Sequence, residues 1–589
     1  MRRRTLLAGL GGAALLAGSG CASVGTPSAA GRPGAAGTGG GGWPSEAAWV
    51  ELGKATGGRL APVSLPDLAD PGEKRLLANQ IWLGDQPALT QISGWIDGWV
   101  SAPSAYVVKA KTAQDVSAAV KFAQTHNLRL VVNGGGHSYV GGSNAPDSLL
   151  VWTRDMQSIE MHDAFIPQGC KTAPAPAVSV GAGCIWGRVY DAVTTRHGRY
   201  GEGGGCTTVG VAGLVQGGGF GSFSKAYGLA AASLLEAEII TADGQVRVVN
   251  ACQDPDLFWA LKGGGGTFGV VTRLTLRTHD LPTNFGAQKL TIKASSDDAF
   301  KKLIAKFIDV YAENLFNPHW GEQVRATPAN LLACEMVMQG LSAQAGAAAW
   351  QPLVDFSKAS PADYQMTDPL TVSPLLARSM WDRDFFAKLA PTAIVPDTRP
   401  GAKPREFWWK GDGDQAGVAW VVMTSAWLPA SLLEPANRAR LVDAWFNASR
   451  SWGVSFHFNK GLAGASPDVI AGARDTSINP EAADAFALAI IGAGAPSIYA
   501  FSPKYNLLSP RANAAKIRSA MQALRVAAPD AGSYLSESDF AKPNWQRESW
   551  GDNWKRLSDI KRRYDPRGLF VVHNGVGSET WSADGFTRV

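Results

Sequence analysis

Residues 128–139 read Leu-Arg-Leu-Val-Val-Asn-Gly-Gly-Gly-His-Ser-Tyr, and residues 201–221 read Gly-Glu-Gly-Gly-Gly-Cys-Thr-Thr-Val-Gly-Val-Ala-Gly-Leu-Val-Gln-Gly-Gly-Gly-Phe-Gly. Glycine lacks a Cβ, so it reaches positive φ and lets a backbone approach a ligand closely. Successive backbone N–H groups in such loops form concave sites that suit a pyrophosphate. A nucleophilic imidazole (His137) and a thiol (Cys206) at the edges of two such loops indicate a ligand that is also held covalently.

The segments beside these loops predict alternating strands and helices. A strand is predicted over Tyr106–Lys109, a helix capped by Thr112 follows, and a second strand over Leu128–Val132 runs into the first glycine loop. Strand, helix, strand and glycine loop form an α/β unit that delivers the loop to a ligand. Further strands are predicted at 177–180, 236–241, 245–249, 270–276 and 417–424, and helices at 186–196, 256–261, 511–527 and 550–563.

A third glycine pattern, Gly264-x-Gly266-x-x-Gly269, matches the dinucleotide fingerprint. That fingerprint needs a strand before the glycines and a helix after them. Here the helix is predicted before and the strand after, so we reject a Rossmann-type site at this position.

Composition indicates a globular chain of two or three domains. The 589 residues are 45% hydrophobic and 18% charged, with a net charge of +5. Because the Lys and Arg residues are scattered and not clustered on one segment, we expect no nucleic-acid partner.

The N-terminus has a targeting signature over residues 1–21, with a basic start, a short apolar run and small residues before Cys21. Arg3 and Arg4 resemble a twin-arginine signal, which predicts export to the periplasm or the outside of the cell. Cys21 resembles a lipoprotein cleavage site, so a lipid anchor and an unlipidated chain both stay open. Residues 22–43 are rich in Gly, Ala, Pro and Ser and predict a flexible tether.

The six cysteines are irregularly spaced and include no CxxC or Cys/His metal set. With Cys21 and Cys206 set aside, Cys170, Cys184, Cys252 and Cys334 remain. One disulfide is possible, with Cys170 and Cys184 the nearest pair, and buried free thiols are the alternative.

Four ordered motifs, within residues 100–280 and 530–580, resemble the berberine bridge enzyme-like branch of the vanillyl-alcohol oxidase flavoproteins. They are GGGHSY, CTTVGVAGLVQGGGFG, PDLFWALKGGGGTFGVVTRL and WGDNWKRLSDIKRRYDPRGLF. The resemblance implies an α+β fold, in which a two-part PCMH-type FAD-binding domain is split by a substrate domain with an antiparallel β-sheet covered by helices. The predicted segments are 44–100 (N-terminal), 101–282 (FAD-binding), 283–510 (substrate) and 511–589 (completing the FAD site).

The resemblance also implies the cofactor contacts. His137 matches the histidine bonded to the flavin 8α-methyl group, and Cys206 matches the cysteine bonded to flavin C6. The other implied FAD contacts are Asn133, Gly134, Gly135, Gly136, Ser138, Gly141, Gly142, Thr207, Thr208, Val209, Gly210, Gly213, Leu214, Gly217, Gly218, Gly219, Phe220, Gly221, Gly269, Val270, Val271 and Asn574. The alternatives are a histidine that only hydrogen-bonds in its loop and an inert buried thiol.

Alcohol oxidation needs a base for the hydroxyl proton, and in this family Tyr commonly supplies it with a lowered pKa. Tyr534 matches that tyrosine, Glu537 could assist it, and Tyr139 is a second candidate; a structural role is the alternative for both tyrosines. His457, Asn459 and Lys460 could line the pocket or form a solvated strand edge.

Val209, three residues after the cysteine, leaves room for dioxygen in this family, which favours an oxidase that makes hydrogen peroxide. The predicted substrate is a small-molecule alcohol or carbohydrate, since Trp side chains in residues 283–500 could stack on sugar rings. A dehydrogenase or an oxidative cyclase of the same fold stays open. So does a surface-anchored glycan-binding protein with a vestigial flavin site.

Overall fold

The computed structural model describes residues 43–589. The predicted signal (1–21) and all but the last residue of the predicted tether (22–43) lie outside this range. The strands are β1 Leu60–Pro62, β2 Ile92–Trp95, β3 Trp99–Val100, β4 Tyr106–Lys109, β5 Arg129–Asn133, β6 Ser148–Trp152, β7 Ile159–Phe165, β8 Ala175–Gly181, β9 Arg199–Tyr200, β10 Leu234–Ile240, β11 Val246–Asn250, β12 Val270–Arg277, β13 His279–Asp280, β14 Asn284–Ala294, β15 Trp320–Ala326, β16 Leu331–Gln339, β17 Tyr364–Leu376, β18 Ile394–Pro396, β19 Phe407–Trp409, β20 Val418–Pro429, β21 Val454–His457 and β22 Ala485–Ala495.

The helices alternate with these strands along the chain. They are α1 Glu46–Ala55, α2 Pro71–Leu76, α3 Gln80–Gly84, α4 Ala113–Thr125, α5 Trp186–Tyr190, α6 Val211–Gln216, α7 Ser224–Tyr227, α8 Pro255–Ala260, α9 Asp297–Val310, α10 Ala343–Ala359, α11 Arg383–Leu389, α12 Pro435–Ser451, α13 Pro467–Arg474, α14 Glu481–Asp484, α15 Leu508–Arg525, α16 Trp545–Trp550 and α17 Trp554–Tyr564. The predicted helix 186–196 is α-helical to Tyr190 and continues as a π-helix over Asp191–Arg196. Within residues 43–589, no helix combines the length and apolar character that crossing a membrane requires.

The first glycine loop leaves a small sheet in the order β1-β4-β6-β5, in which β4, β6 and β5 are parallel. The helix α4 begins at a capping box, because Thr112 accepts from the Asp115 N–H and the Asp115 carboxylate accepts from the Thr112 N–H. Its fully buried residues recur at helical spacing and are Val116, Ala119, Val120 and Ala123. This unit, as predicted, places residues 134–136 at the carboxyl edge of β5.

A second, antiparallel sheet has the order β11-β10-β12-β8-β7. The helix α8 lies before Gly264–Gly269 and the strand β12 begins directly after it. The order of elements is the reverse of the dinucleotide fingerprint, so the rejection of that site is confirmed.

The predicted antiparallel sheet is confirmed as nine strands in the order β17-β14-β16-β15-β21-β22-β20-β2-β3. Every pair is antiparallel except β2 with β20. The largest hydrophobic core joins this sheet to helices α9, α12 and α15 through buried residues such as Leu303, Trp445 and Leu524. Strands β2 and β3, from the predicted N-terminal segment, extend the sheet at its β20 edge.

Among the described residues, one disulfide is present, and it joins Cys170 to Cys252 at a Cα–Cα distance of 5.5 Å, whereas Cys184, the nearest cysteine to Cys170 in sequence, is not its partner. Cys170 lies before β8 and Cys184 after it, so a strand of about 20 Å separates them. Cys252 follows β11, whose Asn250 side chain donates to the Gln168 carbonyl at 3.0 Å and so brings the two loops together. Cys184 and Cys334 are buried free thiols.

Replacing Cys170 and Cys252 by serine is expected to lower the free energy of unfolding by about 2–4 kcal/mol, because the unfolded chain regains the freedom of a long loop. The measurement is the midpoint of thermal unfolding with and without reductant. Reductant should bring the unmodified protein down to the midpoint of the double variant and leave the variant unchanged. Equal midpoints in all four samples would show that the disulfide adds no stability.

Candidate active site

The two glycine-rich loops meet directly. A Cβ added to Gly135 would lie 2.6 Å from the backbone nitrogen of Gly210, which is closer than any real Cβ contact. Both positions therefore need glycine because two backbones pass each other there. The contact brings the segments that carry His137 and Cys206 to one place.

His137 and Cys206 converge on one hydroxyl group. The His137 Nε2 atom lies 3.1 Å from Thr208 Oγ1, and the Cys206 Sγ atom lies 3.4 Å from the same oxygen. Burial, with a further contribution from the charge of Arg154, lowers the pKa of His137 to about 3. The imidazole is therefore neutral at neutral pH, the form in which a ring nitrogen can act as a nucleophile.

The surroundings of the loops fit a large polar cofactor. The side-chain oxygens Asn133 Oδ1, Gln216 Oε1 and Thr267 Oγ1 are buried, and none has a hydrogen-bond partner within residues 43–589. Such acceptors are costly unless a ligand or water satisfies them. A Cβ added to Gly213 or Gly266 would meet nothing within 4 Å, so open space lies against these backbones. The unpaired acceptors and the open backbone suit a dinucleotide.

Several other predicted contacts already have partners in the protein. The Gly142 N–H donates to Ser138 Oγ at 2.9 Å, and Thr207 Oγ1 donates to the Phe407 carbonyl at 3.0 Å. The Asn574 side chain donates to the Phe540 carbonyl at 2.9 Å. These groups shape the loops, and their contact with a cofactor stays a prediction.

Among the later predicted contacts, Val270 and Val271 are buried in the hydrophobic cores. Gly218 and Gly219 have φ of +101° and +72°, so they form a turn that requires glycine. The turn ends at Phe220, and the Gly221 N–H donates to Glu202 Oε1 at 2.6 Å. Glu202, which the sequence did not single out, thus holds the end of the second loop.

Tyr534 lies against this turn. Its hydroxyl accepts a hydrogen bond from the Gly219 N–H at 3.3 Å, and its ring packs edge-on against Phe220. The Lys460 Nζ atom lies 5.8 Å from the centre of the Tyr534 ring and 2.6 Å from Glu537 Oε1. The structure therefore places Glu537 and the predicted pocket residue Lys460 beside Tyr534, and the catalytic roles of Tyr534 and Glu537 stay predictions.

The protein environment does not supply the lowered pKa expected for Tyr534. Burial, followed by the nearby charge of Glu537, raises the pKa of this phenol well above its ordinary value. Burial and the same carboxylate also raise the pKa of Tyr139, whose ring lies 5.0 Å from that of Trp420. Both hydroxyls are protonated at neutral pH.

Two further residues, Asn459 and His457, were predicted either to line the pocket or to form a solvated strand edge. The Asn459 side chain donates to the Gly221 carbonyl at 2.8 Å, so it touches the second loop. Burial and then the charge of Lys460 lower the pKa of His457, so that ring is neutral.

Sequence reasoning missed Gln80 and Asp412. Gln80 is fully buried in α3, accepts from the Thr208 hydroxyl at 3.0 Å and donates to the backbone carbonyl of Asp412. The Asp412 carboxyl lies near the Cys206 thiol and raises the pKa of that thiol. Neither residue lies in a recognisable motif, and only the fold brings them to the two anchors.

The tryptophans predicted to stack on sugars are mostly core residues. Trp381, Trp408, Trp409, Trp427 and Trp445 are all buried. Two members of the set lie near the site: Trp420 is half-buried beside Tyr139, and Trp427 is buried against Phe220. The buried five cannot form a glycan-binding surface. Within the described range, 43–589, no cluster of side chains could hold a metal ion.

Comparisons with known proteins agree with these features. Residues 103–250 match the FAD binding domain family, and residues 533–577 match the berberine and berberine like family. The chain is 30% identical to an uncharacterized FAD-linked oxidoreductase of Arthroderma benhamiae, over 93% of this chain and 94% of that one. It is 31% identical to the VAO-type flavoprotein oxidase VAO615 of Thermothelomyces thermophilus, over 82% and 78% of the two chains.

The fold is similar to that of a solved flavoprotein. The crystal structure of the VAO-type flavoprotein MtVAO615 from Myceliophthora thermophila C1 superposes with a TM-score of 0.73 at 25% identity, covering 92% of this chain and 97% of that one. The similarity therefore extends over most of both chains.

Proposed function

This chain belongs to the berberine bridge enzyme-like FAD-linked oxidoreductases of the vanillyl-alcohol oxidase superfamily, and we propose that it is an oxidase with bicovalently bound FAD. The observation that carries the proposal is the convergence of His137 and Cys206 on the Thr208 hydroxyl. Two different nucleophiles at one point are placed to bond to one ring system. The test is an intact mass, measured after denaturation, that exceeds the mass of the chain by one FAD.

FAD held there would take a hydride equivalent from an alcohol or hemiacetal carbon and pass the electrons to dioxygen, giving hydrogen peroxide. The chain supplies the geometry and the proton chemistry. Asn133, Gln216 and Thr267 present buried acceptors to the cofactor, and the backbones of Gly135 and Gly210 bring the two anchors together.

We propose that Tyr534 accepts the proton that the substrate hydroxyl group releases. Its hydroxyl lies at the turn formed by Gly218 and Gly219, and the ammonium group of Lys460 lies over its ring. The hydrogen bond from the Gly219 N–H favours the phenolate, whereas burial and the charge of Glu537 oppose it. Because the phenolate is the form that accepts a proton, turnover should rise with pH through the alkaline range.

Val209 supports the choice of an oxidase. Its side chain is half-buried, and its backbone is fixed by a hydrogen bond from the Trp186 N–H to its carbonyl at 3.0 Å. Val209→Leu adds bulk at the position that faces the oxygen-reactive carbon in this family. We expect oxygen consumption to fall about tenfold or more while reduction of an artificial dye acceptor continues, as stopped-flow kinetics would show.

Val209→Ala is the matched control and should keep the oxygen reaction. If Val209→Leu consumes oxygen at the rate of the unmodified protein, the position does not control oxygen access, and this argument for an oxidase fails.

The proposed substrate is a small-molecule alcohol, carbohydrate or other polyhydroxy compound. Oxygen consumption across a panel of sugars, alcohols and phenols separates an oxidase from a dehydrogenase, which would reduce only the dye. The glycan-binding alternative loses its main support because Trp381, Trp408, Trp409, Trp427 and Trp445 are buried. A colourless purified protein without a covalent flavin mass would restore that alternative.

We also propose export by a twin-arginine route, with a lipid anchor at Cys21 as a further possibility. The Cys170–Cys252 disulfide supports an oxidising compartment such as the periplasm or the cell exterior. The mass of the mature N-terminus tests both processing and lipidation.

A further inference from the structure

Asp412 occupies an unusual position for a carboxylic acid. It lies in the short 3-10 turn Lys410–Gln415 between β19 and β20, and its carboxyl is close enough to the Cys206 thiol to raise the pKa of that thiol. Its Oδ2 atom is buried and has no hydrogen-bond partner in the described part of the chain. A buried carboxyl oxygen without a hydrogen-bond partner costs free energy, which indicates a role for this side chain other than stability.

The position of Asp412 is fixed by Gln80. The Gln80 Oε1 atom accepts from the Thr208 hydroxyl, and the Gln80 Nε2 atom donates to the Asp412 carbonyl. Because Thr208 also contacts Cys206, the fully buried Gln80 side chain links the neighbour of the thiol to the backbone of Asp412. This bridge holds the Asp412 turn against the cysteine loop.

The thiol needs a proton acceptor if it is to form a bond. The thiolate is the nucleophilic form of cysteine. Desolvation in the cleft, followed by the negative charge of Asp412, raises the pKa of Cys206 far above its ordinary value. A thiolate is therefore not present in advance at neutral pH, and the proton must leave as the sulfur–carbon bond forms.

The other groups near the sulfur are poorly suited to accept this proton. The Thr208 hydroxyl already donates to Gln80, and His137 is the second anchor, whose Nε2 atom faces Thr208. Desolvation raises the pKa of Asp412 to about 6, an effect that the neighbouring Cys206 partly opposes and the charge of Glu322 increases. A base with a pKa near 6 is largely ionised at neutral pH and can still hold a proton.

We propose that the Asp412 carboxylate accepts the thiol proton of Cys206 when the sulfur attaches to the flavin ring, an inference that rests on the covalent attachment proposed above. In the complete reaction, the S–H bond and one ring C–H bond break and the S–C bond forms. Both hydrogens leave as protons, the first through Asp412, and the two released electrons reduce dioxygen to hydrogen peroxide. Asp412 thus acts in the maturation of the enzyme, separately from substrate oxidation.

The experiment measures the covalent attachment of FAD through Cys206 alone, in a protein that lacks the His137 anchor. Full-length His137→Ala protein, prepared from flavin-depleted cells, is mixed with FAD in air, and covalent flavin is measured by intact mass after denaturation over time. We expect attachment whose rate rises with pH through a midpoint near 6. Adding Asp412→Asn should slow attachment by about 10²-fold or more, and Asp412→Glu should restore a substantial part of it.

The titratable groups that face Asp412 are Cys206, Tyr139 and Glu322. Glu322→Gln provides the matched control, since it removes a buried negative charge from the cleft but leaves the thiol its acceptor. Attachment should continue in this variant with its pH midpoint moved downward, because Glu322 raises the pKa of Asp412. Unchanged noncovalent FAD binding in each variant shows that the site has folded.

Two failures are distinguishable in this design. If Asp412→Asn attaches flavin at the parental rate and with the parental pH profile, the role of Asp412 is wrong and the proposed function stands. If the His137→Ala protein binds FAD but never attaches it, while Cys206→Ala also attaches none, the covalent attachment itself is wrong.

Discussion

The double variant His137→Ala with Cys206→Ala will release all of its flavin on denaturation, whereas the unmodified protein will keep it. The reason is that these side chains are the two nucleophiles that meet at Thr208. Acid precipitation should give a yellow pellet only where a covalent bond remains. Intact mass should show one added FAD in the unmodified protein and none in the double variant.

The single variants are the controls for this experiment. His137→Ala and Cys206→Ala should each keep one bond, so both pellets stay yellow, but their absorption spectra differ because sulfur conjugates with the ring and the imidazole does not. Covalent flavin that persists in the double variant would place the attachment elsewhere and remove the main support for the proposed site.

The second large effect is expected for Tyr534→Phe, which should keep its covalent flavin but lower kcat by about 10²–10⁴-fold, the usual contribution of a general base. The phenyl ring keeps the packing against Phe220 and loses only the hydroxyl at Gly219. Steady-state kinetics with the best substrate of the panel provide the measurement. The rise of kcat with pH should be lost in the variant, because the group that ionises is gone.

Tyr564→Phe is a suitable control, since its buried hydroxyl bonds Asp254 at 2.8 Å, away from the glycine loops. It should leave kcat and the pH profile unchanged. If Tyr534→Phe turns over at the unmodified rate, another group takes the proton, and Tyr534 is then a structural residue of the turn.

Local signals were sufficient for the first α/β unit. The Thr112 and Asp115 cap, the helical spacing of Val116 and Ala119, and the strand before the glycines are all encoded within a few residues. The same kind of reasoning identified the reversed order of elements around Gly264. Short-range patterns predict elements and loops because both depend on neighbours in sequence.

Short-range sequence patterns could not predict the features that depend on tertiary packing. The partner of Cys170 depends on which loops β8 and β11 bring together, so sequence distance left the pairing of the cysteines undecided. Gln80 and Asp412 are isolated polar residues whose importance comes from burial beside Cys206. The raised pKa of Tyr534 likewise follows from packing that no motif reveals.

The parallel pairing of β2 with β20 joins strands that are far apart in sequence, so this part of the sheet forms late in folding. Ile92 lies opposite Val418, so the early strand cannot find its neighbour until the ribosome has made most of the protein. Contacts of such high sequence separation slow folding, because a long loop must close first. Gln80 lies just upstream of β2 and docks on Asp412, so a nascent chain has no complete thiol environment. The proposed attachment through Cys206 is therefore expected to begin only after residue 412 has been made.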